Sequence, residues 1–324
     1  MSHFSILVVG EVDYNMAPFH EFECTGRDDE FVQTIDITER LRKEFLAALE
    51  EQKTNPNQKY GFKGSTFREF LAKYHEIPFA KSAKQLDMTK THKYGYFLPN
   101  NTKAAKEDPG IGGCNRFKVF DRTNPNKFYD YYTTGYRGFL LKEKTEDGKE
   151  QWVNEAYKGD IDFQGMFAAR EKSARETYRK VVKALGYTPE LAHTWASLVD
   201  QFSPKDGTKA TMTRDEADAI YNAQKPVKDM QKAFKDNKLT IEDIGFWAKV
   251  DDFCMTEDEY VASQHIHAIT FGWVQNREYH SNGDMGWWAM VSNEKDPNAW
   301  DNEYKSFIDS LEDDDYLTIL DCHI

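Results

Sequence analysis

Two hydrophobic periods share this chain. Residues 4–9, Phe4-Ser5-Ile6-Leu7-Val8-Val9, form the first apolar run, and Gly10 ends it. Residues 316–320 form the last. Both are short, rich in β-formers and apolar on both faces, as strands inside a sheet are. Ahead of the last run, Trp300, Tyr304, Phe307, Ile308 and Leu311 recur at helical spacing and make one stripe. Asp296 suits the N-cap of that helix and Pro297 its first position. Strands are expected at 268–274 and 287–291, joined by a segment with an Asn282-Gly283 turn.

The middle of the chain divides. Residues 51–158 read as β- and loop-rich, with a strand at 94–98 and a loop over 106–116. A hairpin is expected from 138–143 and 150–153 around Glu146-Asp147-Gly148. From 163 onward the period turns helical. Phe167, Ala174, Tyr178, Val181, Val182 and Leu185 mark one face, and Asp160 and Asp162 are placed to cap it. Gly186 follows as the terminating glycine, with Tyr187 as its apolar partner. Thr188-Pro189 restarts a helix that buries Leu191, Trp195, Leu198, Val199 and Phe202, and Pro204 stops it. Further starts are expected at Thr213-x-x-Glu216, Thr240-x-x-Asp243 and Thr256-x-x-Glu259, and Pro226 must kink or restart its helix. The expected fold class is α+β: a small, mostly antiparallel sheet closed by both termini, a β-rich middle and a helical arm or bundle. The expected division is 1–50 plus 251–324, then 51–158, then 159–250.

Composition narrows the function. Of 324 residues, 14% are aromatic, which speaks for a folded chain. No apolar run approaches the ~20 residues that span a bilayer, and Ile6-Leu7-Val8-Val9 is too short for a signal peptide. Four cysteines make no disulfide framework, so a soluble protein of a reducing compartment is expected. The net charge is −13 and unevenly spread. Residues 1–50 hold 4 basic and 11 acidic side chains, residues 239–324 hold 4 and 19, and the stretch between holds 34 and 25. Free nucleic acid needs a basic footprint and is not expected as a partner, nor is a membrane. An acidic module built from both ends is expected instead, either for solubility or for docking on a basic protein.

Few residues carry chemistry. His265 and His267 would share a face on a strand but not on a helix, and they fall at a helix-to-strand joint. Cys322-His323 with Asp321 forms a second cluster, which His3 joins if the terminal strands pair; sheet-edge polar residues making ordinary hydrogen bonds are the favoured reading. His20-x-x-x-Cys24 is a third. Gly110-Ile111-Gly112-Gly113 lacks the ending of a phosphate loop. A metal-dependent hydrolase acting on a nucleotide or signalling molecule would draw on His265, His267, His280, Asp284, Asp321 and His323. A sponge for a small immune signal would draw on Arg116, Arg122 and Arg137. Neither a cofactor nor a catalytic nucleophile is indicated. Tyr129, Tyr131, Tyr132, Tyr136 and Arg137 crowd nine positions; Tyr and Arg dominate interface hot spots, and aromatics also build cores. They are the candidate protein-binding residues.

The opening Met1-Ser2-His3-Phe4, the run Ala17-Pro18-Phe19-His20-Glu21-Phe22-Glu23-Cys24-Thr25-Gly26, residues 131–139, Gly283-Asp284-Met285-Gly286-Trp287-Trp288 and the closing Leu320-Asp321-Cys322-His323-Ile324 resemble a family of uncharacterised phage-encoded proteins. In architecture the chain also resembles phage inhibitors of the Gabija defence system. That resemblance implies a non-enzyme that forms homo-oligomers, acts in the cytoplasm of the infected bacterial host and binds a bacterial defence complex. It implies that the Gabija nuclease–helicase is kept from engaging DNA. It carries no functional residue across.

Overall fold

The structure is a computed structural model that describes residues 3–21, 30–54, 61–64, 66–77, 79–80, 93–97, 117–135, 138–142, 149–203, 209–245, 248–286 and 290–324. In chain order the elements are β1 (His3–Val9), α1 (Val12–Met16), β2 (Gln33–Asp36), α2 (Thr38–Thr54), α3 (Phe67–Tyr74), β3 (Phe79–Ala80), β4 (Lys93–Phe97), β5 (Phe117–Thr123), β6 (Tyr131–Thr134), β7 (Phe139–Leu140), β8 (Trp152–Val153) and β9 (Glu155–Tyr157). Then come α4 (Phe163–Leu185), α5 (Trp195–Phe202), α6 (Arg214–Ala223), α7 (Lys225–Lys235), α8 (Ile241–Ile244), α9 (Glu257–Ala262), β10 (Gly272–Gln275), β11 (Glu278–Ser281), β12 (Asp284–Met285), β13 (Val291–Ser292), α10 (Pro297–Ser310) and β14 (Tyr316–His323). The fold is α+β. Among the described residues no helix is long and apolar enough to cross a membrane.

The chain folds as two compact units. The first takes Met1–His3, Asp13–Tyr132 and Cys322–Ile324; the second takes Phe4–Val12 and Thr133–Asp321. Residues 13–50, expected to share an acidic layer with 251–324, thus fall in the other unit. By sequence count the first unit holds 19 basic and 18 acidic residues and the second 23 and 37. The net negative charge therefore belongs to the second unit.

The second unit is built on a sheet of strand order β11-β10-β1-β14-β6, with β9 also pairing β14. The sheet is mixed: β1 runs parallel to β10, with Leu7 opposite Trp273, while β10 and β11, and β9 and β14, pair antiparallel. Gly10 N–H donates to the Tyr316 carbonyl, so the end of β1 meets the start of β14. Strands β10 and β11 form a two-residue hairpin at Asn276-Arg277, both at positive φ (52° and 64°). The sequence does not announce that turn, because Arg is a poor fit to the left-handed region it occupies. Residues 287–289 of the expected strand lie outside the described residues, and Val291 pairs with Met285. Strands β7 and β8 pair as the expected hairpin does, with Phe139 opposite Val153. Its turn at 146–148 and the loop expected over 106–116 lie outside the described residues.

Helix α4 begins where Asp162 accepts the Gly165 N–H at 2.9 Å and ends at Gly186, φ +83°. Its Phe163, Met166, Phe167 and Val181 share one core with Leu7, Leu317 and Ile319 of the sheet. The helical section is therefore packed into the unit's core, not set apart as an arm. Trp300, Tyr304, Phe307 and Ile308 bury the expected stripe of α10 in that core. The capping boxes at Thr213/Glu216 and Thr256/Glu259 close in both directions. Residues 188–193 are not helical; the helix expected there starts at Trp195, capped by Thr194. Tyr187 donates its hydroxyl to Asp229 at 2.6 Å.

The first unit has a sheet of order β2-β5-β4-β3. Helices α2 and α3 supply Leu41, Phe45, Phe67, Phe70 and Leu71 to its core, alongside Val119 of β5. The sequence pattern predicts neither helix. A capping box at Thr66/Glu69 starts α3, and Phe67, Phe70 and Leu71 mark its buried face.

Candidate functional site

The tyrosine segment and the chain termini meet in the first unit. Two clamps shape the site. Asn124, buried, donates its side-chain amide to the carbonyls of Pro18 (2.7 Å) and His20 (3.0 Å). Phe19 and Phe128 stack at 5.0 Å between ring centroids. These contacts lay the segment that follows α1 against the strand-like run into β6, where His20 and Tyr129 form a parallel bridge. Cys24, the other half of the expected His20 cluster, lies outside the described residues.

Within this frame the expected binding residues separate. Tyr129 is buried and donates its hydroxyl to the Met16 carbonyl at 3.2 Å. Burial first, then Tyr132, Cys322 and Asp13, raises its hydroxyl pKa above the ordinary tyrosine value. Tyr129 is therefore packed into the core, with little surface left at the cleft. Tyr131 is 48% exposed and stacks on His323, with ring centroids 4.3 Å apart and planes 19° apart. Tyr132 is half-buried and donates to Asp13. Tyr136 and Arg137 lie outside the described residues.

His323 is buried, and neither of its ring nitrogens has a hydrogen-bond partner among the described residues. His3 packs edge-on against it at 4.9 Å. A buried imidazole held only by rings acts here as an apolar plate that fixes the Tyr131 ring. In front lies an open cleft of about 410 Å³ lined by Asp13, Ala17, His20, Tyr129, Asp130, Tyr131 and Tyr132. Asp13 and Asp130 are exposed, and neither has a basic partner among the described residues. Tyrosine faces beside uncompensated carboxylates suit a guanidinium or ammonium group.

Compared with known protein families, curated proteins and solved structures, the chain matches none. The site's meaning rests on its own chemistry.

The residues of the metal reading do not assemble. His267 Nδ1 lies 2.6 Å from Asp301, His280 stacks on Trp273 at 4.9 Å, and Asp284 accepts from Asn293 at 2.6 Å. His265 sits in the loop before β10 at φ +48°. Asp321 is half-buried on β14, and His323 lies under Tyr131. Among the described residues no three His, Cys, Asp or Glu side chains are placed to share a metal. For the sponge reading, Arg116 and Arg137 lie outside the described residues, and Arg122 sits on β5 opposite Thr34. Sequence reasoning missed Asp13, Asp130 and Asp301. Nothing in a chain of 55 acids singles out three of them.

Proposed function

We propose that this protein works by stoichiometric binding, as a phage anti-defence protein that captures a bacterial immune complex and blocks its engagement of DNA. The Gabija nuclease–helicase is the proposed target, and self-association is part of the proposal. One observation carries the reading: an exposed tyrosine, fixed by a buried ring, stands beside two carboxylates that have no basic partner among the described residues. An enzyme that engages DNA presents lysines and arginines to phosphate. The same side chains fit this cleft. The excess of acidic over basic residues in the second unit supplies longer-range attraction, which speeds encounter with a basic partner.

The test is to mix the purified protein with the purified nuclease–helicase, measure the mass of the product and follow DNA cleavage. The reading expects one complex of fixed ratio, with cleavage lost in proportion to its formation. Cleavage at full rate with no complex at micromolar concentrations would refute it.

A further inference from the structure

We infer that His267 is the general base of a hydrolytic site in the second unit, distinct from the cleft just described. Asp301, on α10, is buried. Its Oδ1 accepts the backbone N–H groups of His267 at 2.7 Å and Ala268 at 3.0 Å, and its Oδ2 lies 2.6 Å from His267 Nδ1. A carboxylate only accepts, so Nδ1 carries the proton of that bond. Nε2 is then the nitrogen left for chemistry. Phe167 of α4 packs edge-on against the imidazole at 4.8 Å and holds its plane. Asp301 is a positioning residue, because it acts through His267.

Both residues line a cleft of about 420 Å³ between α4, α9 and α10. Gln164, Asn298 and Asn302 also line it, and their carboxamides make no hydrogen bond among the described residues. The cations there are already matched. Arg175 pairs with Glu171, Glu257 and Asp258, and Lys305 pairs with Asp309. No serine, threonine or cysteine is among the described lining residues, so the nucleophile this base serves is water. What remains uncommitted is one base and a set of neutral amide donors. Amide N–H groups suit a carbonyl oxygen that gains charge in the transition state. A phosphate would call for cations not already paired. The substrate class is therefore a neutral carboxylic ester.

In the proposed step Nε2 takes a proton from water while the water oxygen bonds to the carbonyl carbon. The C=O electron pair moves onto its oxygen, where the carboxamide N–H groups hold it. The intermediate then collapses, the bond to the alcohol oxygen breaks, and that oxygen takes the proton from His267. One ester and one water give one acid and one alcohol.

The experiment follows hydrolysis of 4-nitrophenyl acetate by the full chain and by three variants. His267→Asn keeps a donor toward Asp301 and removes Nε2; general-base catalysis is worth about 10²–10⁴-fold, so kcat/KM should fall at least about 100-fold. Asp301→Asn should lower the rate and move the pH at which it rises, a readout that a purely structural bond would not shift. His193→Gln removes an exposed imidazole elsewhere and should change nothing. Equal rates for the native chain and His267→Asn would overturn the inference. So would a native rate no higher than that of free imidazole at the same concentration, a comparison that holds even if a variant fails to fold.

Discussion

Tyr129 and Tyr131 lie two positions apart and meet different surroundings. Tyr129 points into the unit and bonds Met16; Tyr131 presents its face. Tyr129→Phe should lower stability by about 1 kcal/mol, the usual worth of a buried hydrogen bond, as read from urea unfolding. Tyr131→Ala should leave the unfolding midpoint nearly unchanged. The cluster was visible in the sequence as a density of tyrosines. Which of them faces out was not, because it depends on Asn124 and Phe128 gripping a segment about a hundred residues earlier in the chain. Cys254 gives a test of pH. Burial, then Asp251, pushes its thiol up to about 11, so little thiolate exists near neutrality. Alkylation of Cys254 by iodoacetamide, followed by mass spectrometry, should be slow at pH 7 and accelerate as pH climbs toward 11. Rapid labelling at pH 7 would contradict these surroundings.

At the scale of elements, local chemistry was the most legible part. Thr213-x-x-Glu216 and Thr256-x-x-Glu259 name their own helix starts, since each pair satisfies two backbone N–H groups. Replacing Thr256 with Ala should cost about 1 kcal/mol, seen as a lower midpoint in urea at unchanged slope. Gly186→Ala should cost about 1–2 kcal/mol, because a Cβ disfavours the left-handed backbone that the φ of +83° requires. The β10–β11 hairpin stayed hidden for the opposite reason. Its Arg277 adopts a backbone that tertiary pairing imposes and its side chain does not favour. Helix α3 had a readable box at Thr66/Glu69, but eight residues give too few turns to set its stripe apart from its surroundings.

For the whole molecule, the sequence showed how much charge there is, and folding decided where it goes. Acids from 13–50 pack with a near-neutral unit, while those from 239–321 share the second unit with a helical section that sequence reading had kept apart from them. Six carboxylates, Asp36, Glu216, Asp229, Asp243, Glu257 and Glu259, are held below their ordinary pKa. Arg179 and Arg175 lower Glu257, and Lys180 with the Thr240 backbone lowers Asp243. At Asp36 burial works the other way, but Thr38 and Lys118 outweigh it. Depressed folded values mean that the unfolded chain binds more protons as pH falls. The stability these groups contribute is therefore present at neutral pH and lost as pH drops below about 4. The thermal midpoint should fall as pH drops from about 5 to about 3, modestly because most of these groups are solvent-screened, and a flat profile would contradict the pairing.

Salt bears on the binding reading in the same way. Attraction between exposed charges fades once the Debye length shrinks to a few ångströms, about 3 Å at 1 M salt. An anchor held by ring contact fades less. The central measurement is the affinity of the purified nuclease–helicase for the native chain and for Tyr131→Ala, each at low and high salt. The account predicts a loss of at least about 2 kcal/mol for Tyr131→Ala at both salt levels, and weaker binding of both proteins in high salt. Equal affinities for the two proteins, unmoved by salt, would contradict it.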